Sequence, residues 1–256
     1  MSKAYDNPKY YEIALWHNAS KKKIINFFKD AINEHSKTPV KEILELACGN
    51  SPLAIPFVKA GFRYRGLDLN KHMLNYSKER ASQKKCSIET IQANMINFKL
   101  TKKTDLCYVL YNSIYKQSNE EFTQHLKSVS ASLKNGGLYI LHMVIDGDIA
   151  DVHTKDRFSW TAKQGNITIH AKFKREIINY MEQLRKETLI LNINDNGKKL
   201  KLQESSIEKM IFPQEFLTLL KSTDFEFINW YDGFNIHKPI HQKSRPAYVV
   251  CIIRKK

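Results

Sequence analysis

The chain has 256 residues, 42% of them apolar, enough for one packed core of generous size. No apolar run reaches the roughly 18–20 residues of a membrane-crossing helix, and the opening Met1-Ser-Lys-Ala-Tyr-Asp6 is polar, unlike the apolar stretch of a secretory signal. The net charge of +15 comes from lysines spread from Lys3 to Lys256, so it reads as solvated surface charge, and a nucleic-acid partner is open but not favoured. Cys48, Cys86, Cys107 and Cys251 are far apart and form no Cys-x-x-Cys pair. They are expected to be reduced thiols of a cytoplasmic protein, with no metal site and no membrane partner.

In chain order, residues 1–38 form a prelude whose Ile24, Ile25, Phe28 and Ile32 predict an amphipathic helix over 20–35. Residues 39–150 then alternate strand and helix. Strands are expected at Ile43–Ala47, Tyr64–Asp68, Ser87–Gln92, Asp105–Tyr111 and Leu138–Val144. Helices are expected at Leu53–Ala60, from a cap at Asn70 to Gln83, and over 119–133, with Gly136-Gly137 ending the last connection. This pattern predicts an α/β, Rossmann-like, mostly parallel sheet with helices on both faces.

Residues 151–212 change character. Alternating stretches at Asn166–Phe173, Glu176–Arg185, Thr188–Ile193 and Lys199–Ile211, with a hairpin turn at Asp195-Asn-Gly197, predict an antiparallel insertion of three to five strands. Over 213–256, Pro213 opens a helix, and Phe225–Tyr231 and Ala247–Arg254 close as strands. The whole reads as a single domain.

The most informative run is Glu45-Leu-Ala-Cys-Gly-Asn-Ser51, followed by Gly66-Leu-Asp-Leu-Asn70. A small-residue turn after a strand lets backbone N–H groups approach a ligand, and an acid at the tip of the next strand can accept both ribose hydroxyls. Ala47 and Ser51 replace the first and third glycines of the dinucleotide fingerprint, which points to a nucleoside ligand without a crowded pyrophosphate.

These residues, with the 23-residue spacing from Glu45 to Asp68, resemble those of the class I S-adenosylmethionine-dependent methyltransferases. The chain looks closest to the subgroup that methylates small molecules, with a tyrosine-rich N-terminal helix and a strand insertion before the last helix. The resemblance implies a seven-stranded sheet and S-adenosylmethionine as cofactor. It implies that Glu45 reaches the methionine ammonium, that Ala47, Cys48 and Gly49 lie under methionine and ribose, and that Asp68 takes the ribose hydroxyls. Leu69 and Met73 would line the adenine, Asn94 and Met95 would read its edge, Tyr111 would face the sulfonium, and Tyr11, with Tyr5, would help lid the site.

The implied reaction is in-line methyl transfer to a nitrogen or oxygen of a small-molecule acceptor. The alternatives are an RNA or protein methyltransferase and a non-catalytic binding protein. Tyr111-Asn-Ser-Ile114 lacks the prolines of the target-base motif that nucleic-acid enzymes of this kind carry. An acceptor that keeps its proton needs a base, and His142 at the end of the fifth strand is the first candidate, ahead of His237 and His241. Tyr115, Trp160 and Arg245 are candidate acceptor contacts.

Overall fold

Glu42–Leu46 (β1) and Thr104–Val109 (β4) are buried along their whole lengths, as expected of central strands covered on both faces. The computed structural model describes residues 3–17, 19–114, 117–143, 158–241 and 249–256. Around β1 and β4 lie Arg63–Asp68 (β2), Glu89–Gln92 (β3), Leu133–Met143 (β5), Phe225–Asp232 (β10) and Val249–Lys255 (β11). Together they form a seven-stranded sheet in the order β10-β11-β5-β4-β1-β2-β3, with β11 antiparallel to both of its neighbours. The chain leaves β1 towards β2 and β3, then returns to place β4 on the other side. That reversal opens a crevice beyond the carboxyl ends of β1 and β4.

Helices Lys21–His35 (α2) and Ala54–Lys59 (α3) cover one face, where Phe27, Phe28 and Phe57 pack on Ile43, Tyr64 and Tyr108. Asn119–Ser132 (α5) and Pro213–Leu220 (α6) cover the other, where Phe122, Leu126 and Phe216 pack on Leu44, Leu46 and Val109. The start signals in the sequence are satisfied locally. Ser20 caps α2, Asn70 caps Lys71–Gln83 (α4) and Ser118 caps α5, each accepting from a backbone N–H three residues on.

A second, four-stranded antiparallel sheet runs Phe158–Gln164 (β6), Ile167–Asn179 (β7), Leu184–Asp195 (β8) and Lys198–Lys209 (β9). Asn196 and Gly197 both have positive φ, as a tight hairpin turn requires. The strands expected at 166–173 and 176–185 are in fact one strand, β7, and the turn falls at 180–183. Arg175 breaks the apolar alternation at an inward position because its partner across the ladder is Glu187.

A second correction concerns Gly136-Gly137, which lie inside β5 rather than in a connection. There a Cβ on Gly137 would stand 2.8 Å from the Asp105 and Lys134 carbonyls, beside a register shift in the β4–β5 pairing. Pro8–Trp16 (α1) rests on the antiparallel sheet through Ile13 and Ala14, which pack with Ala162, Ile169 and Leu191. Among the described residues no helix is long and apolar enough to cross a membrane.

Candidate active site

The turn after β1 holds three left-handed residues, Ala47 (φ 48°), Gly49 (φ 50°) and Ser51 (φ 46°). The backbone thus keeps the conformation that glycine favours at the two positions where glycine is missing, at a cost of about 1–2 kcal/mol for each L-residue. The turn is tied to β2 twice. The Cys48 N–H donates to the Leu67 carbonyl at 3.0 Å, and the Gly49 N–H donates to Asp68 Oδ2 at 2.8 Å. Gly66 makes this approach feasible, since a Cβ there would lie 2.8 Å from Cys48 Sγ. A Cβ on Gly49 would meet nothing within 4 Å, so the open side of the turn faces free space.

Asp68 also accepts the Asn70 N–H on Oδ1 at 2.8 Å. Burial pushes its carboxyl above the usual range, while the N–H groups of Asn70, Gly49 and Leu69 oppose that shift. Leu69 is 64% exposed beside it, an apolar surface open to a planar partner, whereas Met73 is buried on the inner face of α4. Glu45 is buried and accepts from the Tyr64 hydroxyl. Burial raises its pKa to about 8 against the pull of the Tyr64 and Tyr108 hydroxyls, and the Asp68 charge adds to the rise.

Past β3, Asn94 is exposed, and its side-chain oxygen accepts from the Ile96 N–H at 2.9 Å. Met95 is anchored from below. Its carbonyl accepts from His125 Nδ1 at 2.8 Å, and His125 Nε2 in turn accepts from the Tyr139 hydroxyl at 2.7 Å. His125 is fully buried and was not among the candidates, because nothing local in its helix marks a partner 30 residues away.

After β4, Tyr111 (φ 52°) and Asn112 (φ 56°) are consecutive left-handed residues, an arrangement that persists only where the surroundings enforce it. His142 enforces it from β5. Its Nδ1 accepts the Tyr111 N–H at 3.1 Å and its carbonyl accepts the Asn112 N–H at 2.9 Å. An amide can only donate, so Nδ1 carries no proton, and burial pushes the ring's pKa down to about 4. The Nδ1 lone pair, the one a neutral ring would use to take a proton, is engaged by this amide.

The antiparallel sheet reaches the same turn. Asn112 Nδ2 donates to both Glu208 oxygens at 3.0 Å, and Arg185 Nε donates to Glu208 at 2.7 Å. Glu187 accepts from Arg175 at 2.8 Å and faces Arg185 at 3.3 Å. Burial, followed by the Glu208 charge, raises Glu187 to about 7 against the two arginines. These groups were missed too. For Arg185 and Glu187 the signal was present in the period-two series 185, 187, 189, 191 and 193, which starts with two charges on an otherwise apolar face.

The N-terminal segment packs beside Tyr111 and near Asp68. Tyr11 meets Tyr5 edge to face at 5.4 Å, and burial, then Tyr5, Asp68 and Glu204, raise its hydroxyl well above the usual range. Trp16 meets the Tyr111 ring edge to face at 5.0 Å. Trp160 is turned to α1 instead, its indole N–H donating to the Ala14 carbonyl at 2.7 Å, so its polar edge is used in holding that helix. His237 and His241 are exposed in the loop after β10. Tyr115 and Arg245 lie outside the described residues.

Residues 43–137, which carry the turn, Asp68, the Asn94 loop and Tyr111, match the family described as "Methyltransferase domain". Over its whole length the chain superposes on solved structures of that kind. A S-adenosylmethionine-dependent methyltransferase from Clostridium acetobutylicum ATCC 824 aligns with TM-score 0.80 over 96% of each chain at 15% identity. This is a class I methyltransferase fold. The sugar N-methyltransferase KedS8 from Streptoalloteichus sp ATCC 53650 shares it, with TM-score 0.72 over 100% of this chain and 94% of that one at 14% identity. By sequence, a Geobacillus sp. (strain WCH70) protein with a provisional methyltransferase name is 26% identical over 137 residues, 53% of this chain and 56% of its own. The chain spans about half the length of the curated relatives it matches. Within the methyltransferase fold, the antiparallel sheet falls outside the matched stretch, and the left-handed turns at Ala47–Ser51 and Tyr111–Asn112 fall inside it.

Proposed function

We propose that this chain transfers a methyl group from S-adenosylmethionine to a nitrogen or oxygen of a small-molecule acceptor. One observation carries the reading: Asp68 and the left-handed turn are bound to each other at the strand-order switch point, with the Gly49 side open. The residues fit an adenosyl ligand. The Asp68 carboxylate retains lone pairs for ribose hydroxyls, exposed Leu69 offers a face to adenine, and the Asn94–Met95 loop, braced by His125, reads its edge. When bound, the sulfonium supplies an already activated methyl group.

The chain's own part is then alignment and exclusion of water, which is worth several kcal/mol when well oriented. Tyr111 presents a neutral ring near the cation, held in place by His142 and Trp16. The prelude through Trp16 covers the site as a lid, and the antiparallel sheet supplies the wall opposite β4. Because His142 has no free lone pair, a neutral amine, which needs no base, suits the site better than a hydroxyl. Likeness to a sugar N-methyltransferase supports the same order of preference.

Calorimetry with S-adenosylhomocysteine tests the cofactor assignment. Asp68→Ala removes charged hydrogen bonds worth about 1.5–3 kcal/mol each, so affinity is expected to fall beyond detection. Unchanged affinity would refute the assignment.

A further inference from the structure

Glu208 belongs to the antiparallel sheet and Asn112 to the turn after β4 of the seven-stranded sheet, 96 residues apart in sequence. Their bond is the point where the second sheet grips the cleft. Both Glu208 oxygens accept from Asn112 Nδ2 at 3.0 Å, and Arg185 holds the same carboxylate through Nε at 2.7 Å and Nη2 at 2.6 Å. The Glu208 and Arg185 side chains are 0% and 2% exposed. They face each other across the β8–β9 ladder, and Glu187 and Arg175 continue the alternation of charge along the inner face.

We propose that Glu208 is a positioning residue for the methyl-transfer site. By holding the Asn112 amide it fixes the left-handed pair Tyr111–Asn112, so the antiparallel sheet sets the shape of the cleft wall. The inference rests on the function proposed above. Two consecutive left-handed L-residues are costly and need more than one restraint. The bonds from His142 hold the backbone from the neighbouring strand, and the Glu208 bond holds the side chain from outside the sheet. A buried ion pair adds little net stability compared with apolar packing of the same shape. Its value here is directional: Arg185 Nε and Nη2 both hold Glu208 Oε1, and the carboxylate so held receives the amide on its two oxygens.

The test exchanges donor and acceptor. Asn112→Asp sets two carboxylates against each other, Glu208→Gln removes the charged acceptor, and the double variant rebuilds the bond with its roles reversed. S-adenosylhomocysteine affinity is read by calorimetry at a temperature where circular dichroism shows each variant fully folded, so that a loss of stability alone does not enter. Each single variant is expected to bind at least about tenfold more weakly, the factor for losing a hydrogen bond to a buried charge. The double variant is expected to return to within about threefold of the parent.

Wild-type affinity in both single variants overturns the proposal, and so does a double variant no better than the singles. If Glu208→Gln does not fold, Asn112→Leu takes its place, because it deletes the amide and leaves Glu208 paired with Arg185. Weakened binding then supports the proposal and unchanged binding overturns it. A wild-type protein that gives no heat refutes the cofactor assignment itself, an outcome distinct from wild-type binding that the variants leave untouched.

Discussion

The Tyr111 backbone N–H donates to His142 Nδ1 at 3.1 Å, which makes the histidine a brace for the cleft wall. Asparagine can offer an oxygen in the same place, whereas alanine leaves a buried N–H unpaired at a cost of about 1–3 kcal/mol. His142→Asn is therefore expected to keep S-adenosylhomocysteine affinity within about threefold and His142→Ala to lose about tenfold or more. Calorimetry on the two variants decides the matter, and equal losses would mean that the ring does something an amide cannot.

Acidity should separate His142 from Glu45. His142 has a folded pKa of about 4 against an ordinary 6.5, so its contribution is complete above 6.5 and is lost as pH falls towards 4. Glu45 has a folded pKa of about 8 against 4.5, so its contribution is complete below 4.5 and is lost as pH rises towards 8. Glu187, raised to about 7, acts in the same sense as Glu45. Urea melts across these windows are expected to show wild type losing ground to His142→Asn on acidification, with a limiting slope of about 1.4 kcal/mol per pH unit. Glu45→Gln is expected to flatten the decline of stability towards pH 8.

On the proposed cofactor assignment, the same carboxyl is expected to link binding to protons. At neutral pH Glu45 is mostly protonated in the free protein, and an ammonium partner favours its charged form. Binding of S-adenosylhomocysteine near neutrality is expected to release close to one proton. Calorimetric heats should then differ between Tris and phosphate in proportion to buffer ionisation, and Glu45→Gln should abolish the difference. Buffer-independent heats in the wild type would show that Glu45 does not meet the ammonium.

Ala47 and Ser51 hold glycine-like torsions without being glycine. Relief of about 1–2 kcal/mol of strain, set against about 0.5–1 kcal/mol of added chain entropy in the unfolded state, favours the substitution. Ala47→Gly and Ser51→Gly are each expected to stabilise by about 0.5–1 kcal/mol, a rise of roughly 1–3 °C in Tm at this chain length. A fall in Tm would mean that the two side chains make contacts worth more than the strain.

What was legible in the sequence was local. The cap at Asn70, the turn bounded by Ala47 and Ser51 and the acid at the end of β2 are all set by residues within one βαβ unit, and the structure has them at those positions. Alternating strands and helices sufficed for the sheet. Reading failed where a residue answers to a distant partner. Arg175 fell in the break between two expected strands because Glu187 is invisible from its neighbours, and Gly137 looked like a loop because Asp105 is 32 positions away. The bond from Tyr111 to His142 could not be read either, since it closes only when β4 and β5 pair. Glu208 carried no signal until the two sheets met.

The hydrogen bond from Trp160 to the Ala14 carbonyl, with that from Tyr10 to Asp195 at 2.8 Å, fastens the first helix to the antiparallel sheet. The helix proposed as cover and the sheet proposed as wall are therefore one heritable piece, although about 140 residues of chain separate their sequences. A chimera that grafts a foreign sheet onto this core must import the matching leading helix with it, or that helix loses both attachments.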